Sequence, residues 1–452
     1  MFETVLVANR GEIAARIVDV LRQNEIKSIA IYSEADAESP HVKRADKAIC
    51  IGPAPVGQSY LNQDAIIQVA IAESVDAIHP GYGLLSENAG FARRCEDAGI
   101  RFIGPTSEVI EAMGDKVIAR ESAERAGVPV VPGSKGPITD IDAAHAIAEQ
   151  IGYPVLVKAA GGGGGIGMAL VKRASKLPRA IESCRDRGES SFGNASVYLE
   201  KYIESPRHIE VQVLFDQHGH GIHLFERECT LQRRHQKVIE EAPSPFVSTQ
   251  NGLRDALCSA ALKAAHAIGY RNAGTVEFVM APSGEFYFIE MNTRLQVEHP
   301  VTEAITGVDL ITWQLKIASG EKLSIAQDEL KIQGAAVECR LYAEEPEKMF
   351  LPRPGEIGEF SPPEMDGVRV DSGVESGATV TQYYDPMIAK LTAHSDSRET
   401  ALELAARALD QFKIEKLTTN RVFLGKVLRH PAVREGEFDT KWLERYAKGQ
   451  LD

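Results

Sequence analysis

The chain has 452 residues, which at roughly 150 residues per domain suggests about three domains with room for full hydrophobic cores. Its composition, 44% apolar and 25% charged, is that of a globular protein and excludes a disordered chain or a fibre. Lys and Arg number 50 against 64 Asp and Glu, a formal charge of −14 that argues against broad binding to nucleic acid or an anionic membrane. Any anion site must therefore be built locally.

The opening MFETVLVANRGE lacks a basic stretch leading into an apolar one, and no apolar run approaches the ~18 residues of a membrane span. The cysteines, six in number, are widely spaced with no CxxC pair, which points to reduced thiols and neither zinc nor a disulfide framework. A cytoplasmic protein without a nucleic-acid or membrane partner is expected.

In chain order, residues 4–8 read as an apolar strand. Ile13, Ile17, Val20 and Leu21 then place one apolar stripe on a helix over 11–22. A strand at 28–33, a helix near 62–73 and strands at 75–79 and 100–103 continue the alternation, which predicts a parallel sheet with helices on both faces. The Asn9-Arg10-Gly11 turn follows the first strand, where such sheets commonly bind ligands. Residues 105–150 read as helical with a loop at 129–137, and 197–292 as β-rich around a helix near 251–268. A final α+β region begins near 331.

Between two apolar runs lie five glycines, Gly161 to Gly165, then Ile166 and Gly167. Successive glycine N–H groups can approach a phosphate closely. The dinucleotide fingerprint needs a helix opening at the glycines, whereas MALVK reads as a strand, and Met168 stands where a Walker lysine is required. A flap between antiparallel strands, closing over nucleotide phosphates, is the reading favoured over a bland linker. Lys158 ends the strand entering this flap, which lifts it above an ordinary surface lysine. Lys116, on the residues alone, would be a surface lysine.

Residues 275–292 form a candidate hairpin. A two-residue Ser283-Gly284 turn would set Glu277 opposite Glu290 and Thr275 opposite Asn292, on one face. Opposed carboxylates repel, and among apolar neighbours they call for a cation. Oxygen donors without His or Cys suit Mg²⁺ or Mn²⁺; two solvated glutamates are the bland alternative. If the chain stays extended beyond Asn292, Arg294, Gln296 and Glu298 fall on one face, a line able to hold a small anion and remove a proton beside it. Arg233, Arg234, His235 and Lys237 form a basic cluster, and Arg340 is another candidate cation for anionic substrates.

The segments ANRGEIAARI, HPGYGLLSENAGFA, KAAGGGGGIGM, EKYIESPRHIEVQV, LQRRHQKVIEEAPSP, FIEMNTRLQVEHPVTE, VECRLYAEEP and YYDPMIAKL resemble biotin carboxylase, an ATP-grasp enzyme, from residue 8 to beyond 390. The resemblance implies an N-terminal α/β domain (1–114), an α+β ATP-grasp domain (115–330) with a mobile glycine-loop lid at about 130–203, and an α+β C-terminal domain (331–447). ATP would be held by Lys116, Lys158, Gly163, Gly164, Gly165, Gly167, Met168, Glu200, Lys201, Ile203, His208, Gln232 and His235. Glu277, Glu290 and Asn292 match metal positions, while Arg294, Gln296 and Val297 match bicarbonate positions. Glu298 matches the general base, Lys237 a residue near phosphate and bicarbonate, Arg340 the stabiliser of the enolate-like biotin oxygen, and Tyr82 lies by the biotin entrance.

Bicarbonate would attack the γ-phosphate to give carboxyphosphate, which decomposes to CO₂ and phosphate before biotin is carboxylated. No Met-Lys pair occurs, so biotin is expected on a separate carrier protein or domain. The further partners implied are a second copy in a homodimer and a carboxyltransferase subunit, with carboxylases of acyl-CoA type the best match. Two alternatives are a catalytically weak nucleotide-binding regulatory homologue and another ATP-grasp ligase. Ile166 departs from the family, which usually carries Arg or Lys there. Ile166→Arg is expected to leave bicarbonate-dependent ATP cleavage unchanged or raised, and a sharp loss would count against this view.

Overall fold

The computed structural model describes residues 1–159, 167–192 and 194–451; Gly163, Gly164, Gly165 and Ile166 lie outside them. Strands β1 (Thr4–Val7), β2 (Lys27–Tyr32), β3 (Lys47–Cys50), β4 (Ala77–His79) and β5 (Arg101–Phe102) form a parallel sheet as expected, in the order β3-β2-β1-β4-β5, with the edge strand β3 an addition to the four expected of the sequence. The helix Gly11–Gln23 buries Ile13, Ile17, Val20 and Leu21, the stripe read from the sequence. Asn9, at the end of β1, donates to the carbonyls of Pro80 (2.6 Å) and Tyr82 (2.8 Å). Gly81, at φ +62°, sits so close that a Cβ would lie 2.8 Å from Asn9 Nδ2. The Asn9 turn thus fixes the loop carrying Tyr82.

Strands β6 (Val155–Ala159), β7 (Met168–Val171) and β8 (Val197–Lys201) make a small antiparallel sheet in the order β7-β6-β8. Lys158 pairs with Met168, so the strands flanking the glycine loop are antiparallel, as expected. The helix Leu177–Phe192, absent from the elements expected of the sequence, covers this sheet through Leu177, Ile181 and Cys184.

The largest element is one antiparallel sheet of eight strands: β9 (Arg207–Phe215), β10 (Gly221–Arg233), β11 (Gln236–Ala242), β12 (Asn272–Met280), β13 (Phe286–Asn292), β14 (Ala335–Tyr342), β15 (Val368–Ser372) and β16 (Met387–Ser395). Their order is β13-β12-β9-β10-β11-β14-β16-β15. The β11–β14 pairing continues the sheet from the central region into the last third of the chain. The helices Leu253–Ala267 and Arg398–Gln411 pack apolar faces on its two halves. No helix among the described residues is long and apolar enough to cross a membrane.

Candidate active site

Alternation along the large sheet puts a row of charged side chains on one face. Arg227 on β10 pairs with Glu210 on β9, Glu210 with Glu277 on β12, and Glu277 with Glu290 on β13. The next row is Gln212, Thr275 and Asn292. The opposed glutamates therefore stand where the hairpin reading placed them, but the turn differs. The loop is three residues, Pro282 to Gly284, closed by Ala281 N–H to the Glu285 carbonyl (2.8 Å). A bulge at the half-exposed Ile289, between the Glu277–Glu290 and Phe278–Phe288 pairs, restores the register.

Lys237 compensates the acidic row. Its ammonium donates to Glu210 (2.5 Å), Glu277 (2.8 Å) and Glu298 (2.6 Å). Burial opposes its charge, but these carboxylates hold its pKa well above the usual lysine value. Burial likewise opposes ionisation of Glu298, yet Lys237, Arg340 and Arg227 hold it well below the carboxylate range. Glu277 is held low in the same way by Lys237 and His208, whose Nε2 lies 2.9 Å from its Oε2. Asn292 (2.7 Å) and Gln296 (3.0 Å) donate to Glu277 Oε1.

Residues 293–298 are an irregular connector before the helix His299–Thr306, a correction to the extended reading. The three polar side chains still turn to one cluster, while Leu295 is buried in the core beneath. Arg294 donates to Gln296 Oε1 (3.0 Å) and to Glu87 (2.9 Å), which also accepts from the Thr293 N–H. Glu298 accepts from Arg340 Nη2 at 2.9 Å. Arg340 belongs to a second row, Asp371–Lys390–Arg340 across β15, β16 and β14. Glu240 and Glu338 face each other one step away on β11 and β14.

These side chains border a cavity of about 1440 Å³. Lys116, Lys158, Met168, Glu200, Lys201, Ile203, His208, Gln232 and His235 line one part of it. Lys237, Glu277, Glu290, Asn292, Arg294, Gln296, Val297, Arg340 and Tyr82 also line it. Gly167 and Glu298 do not: Gly167, at φ +76°, supports the flap strand, and Glu298 is fully buried behind Lys237 and Arg340. The basic cluster divides. Lys237 and His235 both line the cavity, Lys237 largely buried, whereas Arg233 pairs with Glu344 (2.8 Å) over the Phe350 ring. Lys158 pairs with Glu200, Lys116 approaches Glu290 at 3.6 Å, and Lys201 donates to the Gly152 carbonyl at 2.9 Å.

Sequence reasoning missed Glu87, Glu210, Arg227, Glu240, Glu338 and Lys390. The alternation His208, Glu210, Gln212 within RHIEVQVLF was the available signal, since a polar residue at every second position of an apolar strand marks one polar face.

Glu277, Glu290 and the Asn292 carbonyl offer only oxygen donors from neighbouring strand positions, which fits Mg²⁺ or Mn²⁺. Among the described residues, the clusters His208–Glu210–Glu277 and Glu210–Cys229–Glu298 also bring donor atoms together. Both include Glu210, which Lys237 and Arg227 already neutralise.

Burial pushes the Glu240 carboxyl up to about 8 and that of Glu338 to about 7. The folded chain therefore holds protons that the unfolded chain releases near pH 4.5, and stability attributable to them falls as pH rises toward 8. Between pH 6.5 and 8, where the histidines common to both chains titrate alike, the melting temperature of Glu240→Gln is expected to fall less than that of the parent chain. An equal or steeper fall in thermal melts would refute this.

Comparison with known proteins gives the same assignment along the whole chain. Sequence models match for the biotin carboxylase N-terminal domain at residues 1–110 and for the carbamoyl-phosphate synthase L chain ATP binding domain at 115–326. The biotin carboxylase C-terminal domain matches at 338–445. The chain is 52% identical to the biotin carboxylase of Halalkalibacterium halodurans, over 99% of this chain and 98% of that one. It is 49% identical to the biotin carboxylase of Pseudomonas aeruginosa, over 98% of each chain. The biotin carboxylase domain dimer of Hydrogenobacter thermophilus 2-oxoglutarate carboxylase, solved with MgADP, ADP and bicarbonate, superposes with a TM-score of 0.92. Its identity is 45%, with coverage of 100% of this chain and 99% of that one. The chain belongs to the biotin carboxylase family of ATP-dependent ligases.

Proposed function

We propose that the chain carboxylates biotin held on a carrier, using ATP and bicarbonate, as the first half-reaction of a biotin-dependent carboxylase. The observation that carries this reading is Lys237. One largely buried ammonium contacts Glu277, of the candidate metal pair, and Glu298, which Arg340 holds, so it joins the two parts of the cavity.

We assign ATP to Lys116, Lys158, Met168, Glu200, Lys201, Ile203, His208, Gln232 and His235, together with Gly167; Gly163, Gly164 and Gly165 join this assignment on the sequence alone. Glu277, Glu290 and Asn292 would hold Mg²⁺ or Mn²⁺, whose charge neutralises phosphate oxygens. Arg294, Gln296 and the Val297 N–H hold bicarbonate. Two anions must meet, and cations fixed in advance lower that cost. Glu298 takes the bicarbonate proton while a bicarbonate oxygen forms the new bond to the γ-phosphorus and ADP leaves. In the ligand-free chain Lys237 and Arg340 hold Glu298 strongly ionised, which makes it a weak base. Phosphate drawing Lys237 away would raise its basicity at the point of reaction. Carboxyphosphate then splits at its C–O bond into CO₂ and phosphate. Biotin enters past Tyr82, gives its N1′ proton to the phosphate just released and attacks CO₂ through N1′, with Arg340 stabilising the charge on its ureido oxygen.

A carrier protein or domain, a carboxyltransferase and a second copy of this chain are the proposed partners. The acceptor of the carboxyl group is set by the carboxyltransferase; an acyl-CoA is the reading from the C-terminal segments. The test is ATP cleavage with and without bicarbonate and free biotin. Bicarbonate-dependent cleavage stimulated by biotin supports the proposal. Cleavage indifferent to both refutes it.

A further inference from the structure

The peptide units on either side of Val297 have their carbonyls taken by residues outside the assigned site. Gln296 O accepts from His299 Nδ1 at 2.8 Å. A carbonyl can only accept, so Nδ1 carries the proton and Nε2 is left bare, buried and without a hydrogen-bond partner among the described residues. Burial and the nearby Lys390, Arg369 and Arg16 charges keep this imidazole neutral. Val297 O accepts from Lys390 Nζ at 2.6 Å. Lys390 is fully buried on β16, directly opposite Arg340 on β14, and lies 3.3 Å from Glu12 of the first helix. Glu12 in turn accepts from the Tyr82 hydroxyl. One ammonium therefore ties the 293–298 connector to the strand that carries Arg340 and to the loop that carries Tyr82.

In a trans peptide the N–H points opposite to the C=O. With Gln296 C=O turned to the buried His299, the Val297 N–H is turned the other way, on a residue that lines the cavity. We propose that His299 and Lys390 are positioning residues, a two-point clamp that aims the Val297 N–H into the cavity as an oxyanion donor and fixes Glu298 beside Arg340. The proposal rests on the bicarbonate reading of this part of the site. An irregular connector has no strand ladder to hold its peptide planes; the His299 backbone N–H reaches the Gln296 carbonyl at a long 3.4 Å, and the clamp supplies the short bonds a ladder would.

The test compares matched pairs in the full chain. Asn at position 299 can keep a donor near Nδ1, whereas Gln reaches toward Nε2; Arg at 390 keeps a charged donor and Met removes it. His299→Gln and Lys390→Met are expected to raise the KM for bicarbonate about tenfold or more, the equivalent of one lost hydrogen bond to a charged group, with the KM for ATP within about twofold. His299→Asn and Lys390→Arg should stay within about threefold for both. The bicarbonate-induced rise in melting temperature, which needs no turnover, should persist in the conservative variants and vanish in the other two.

Lys390→Met leaves buried acids uncompensated and can fail to fold; the uncharged His299 pair then decides alone. An unchanged bicarbonate KM in a folded His299→Gln, equal losses in Asn and Gln, or no bicarbonate-induced stabilisation of the parent chain would overturn the clamp. A parent chain stabilised by bicarbonate but unable to cleave ATP would overturn the functional reading and leave the clamp standing.

Discussion

Glu298→Gln is expected to reduce bicarbonate-dependent carboxylation of biotin by about 10²–10⁴-fold, the range for a general base placed at the reacting group. Glutamine keeps the shape, and its oxygen can still accept from Lys237 or Arg340, which now lie 2.6 and 2.9 Å from the carboxylate. It cannot take a proton. Among the described residues assigned to ATP, none makes a hydrogen bond or ion pair to Glu298, whose side-chain partners are Cys229, Lys237 and Arg340, so nucleotide affinity should change by no more than about threefold, less than the ~1 kcal/mol of one ordinary hydrogen bond. Steady-state carboxylation of free biotin together with nucleotide titration checks both halves. A variant retaining more than about a tenth of the parent turnover would remove Glu298 from the role proposed for it.

Lys237→Met is expected to weaken the fold as well as the chemistry. Its ammonium is the shared partner of Glu210, Glu277 and Glu298, each almost completely buried. Removing one member of a buried ion pair typically costs about 3–5 kcal/mol, because the stranded charge keeps its desolvation penalty. Arg227 beside Glu210 and Arg340 beside Glu298 soften the loss at those two; among the described residues Glu277 keeps His208 as its ion-pair partner, with the Arg294 charge farther off. A loss of that order in urea unfolding is therefore expected, with turnover abolished. Because Glu277 is also a proposed metal ligand, millimolar Mg²⁺ should raise the melting temperature of Lys237→Met more than that of the parent chain. Loss of turnover with full stability and no differential response to Mg²⁺ would contradict the three-carboxylate account.

What the sequence made legible was local. The parallel start, the antiparallel strands around the glycines and the 275–292 hairpin each follow from residues close together in the chain. The Glu277–Glu290 pairing emerged although the turn is one residue longer than expected, because the bulge at Ile289 offsets it. The rows of charge were not legible, since Arg227–Glu210–Glu277–Glu290 joins four strands whose neighbours only the sheet order reveals. Lys390 illustrates the limit best. It lies 93 positions from Val297, in a segment noted only for resemblance, and reaches that carbonyl because β14 joins β11 to extend the central sheet. Gly161 to Gly165 and Ile166 fall outside the described residues, so the expectation for Ile166→Arg stands on the sequence alone.

Transfer of isotope from bicarbonate to phosphate tests the proposed chemistry most directly. With fully ¹⁸O-labelled bicarbonate, ordinary ATP and free biotin in unlabelled water, attack on the γ-phosphorus leaves one bicarbonate oxygen in each inorganic phosphate released, to be read by ³¹P NMR or mass spectrometry. Phosphate carrying one ¹⁸O per molecule is the predicted result. Unlabelled phosphate formed at the same rate would mean that water cleaves ATP here, and the joining of two anions around Lys237 would have to be abandoned.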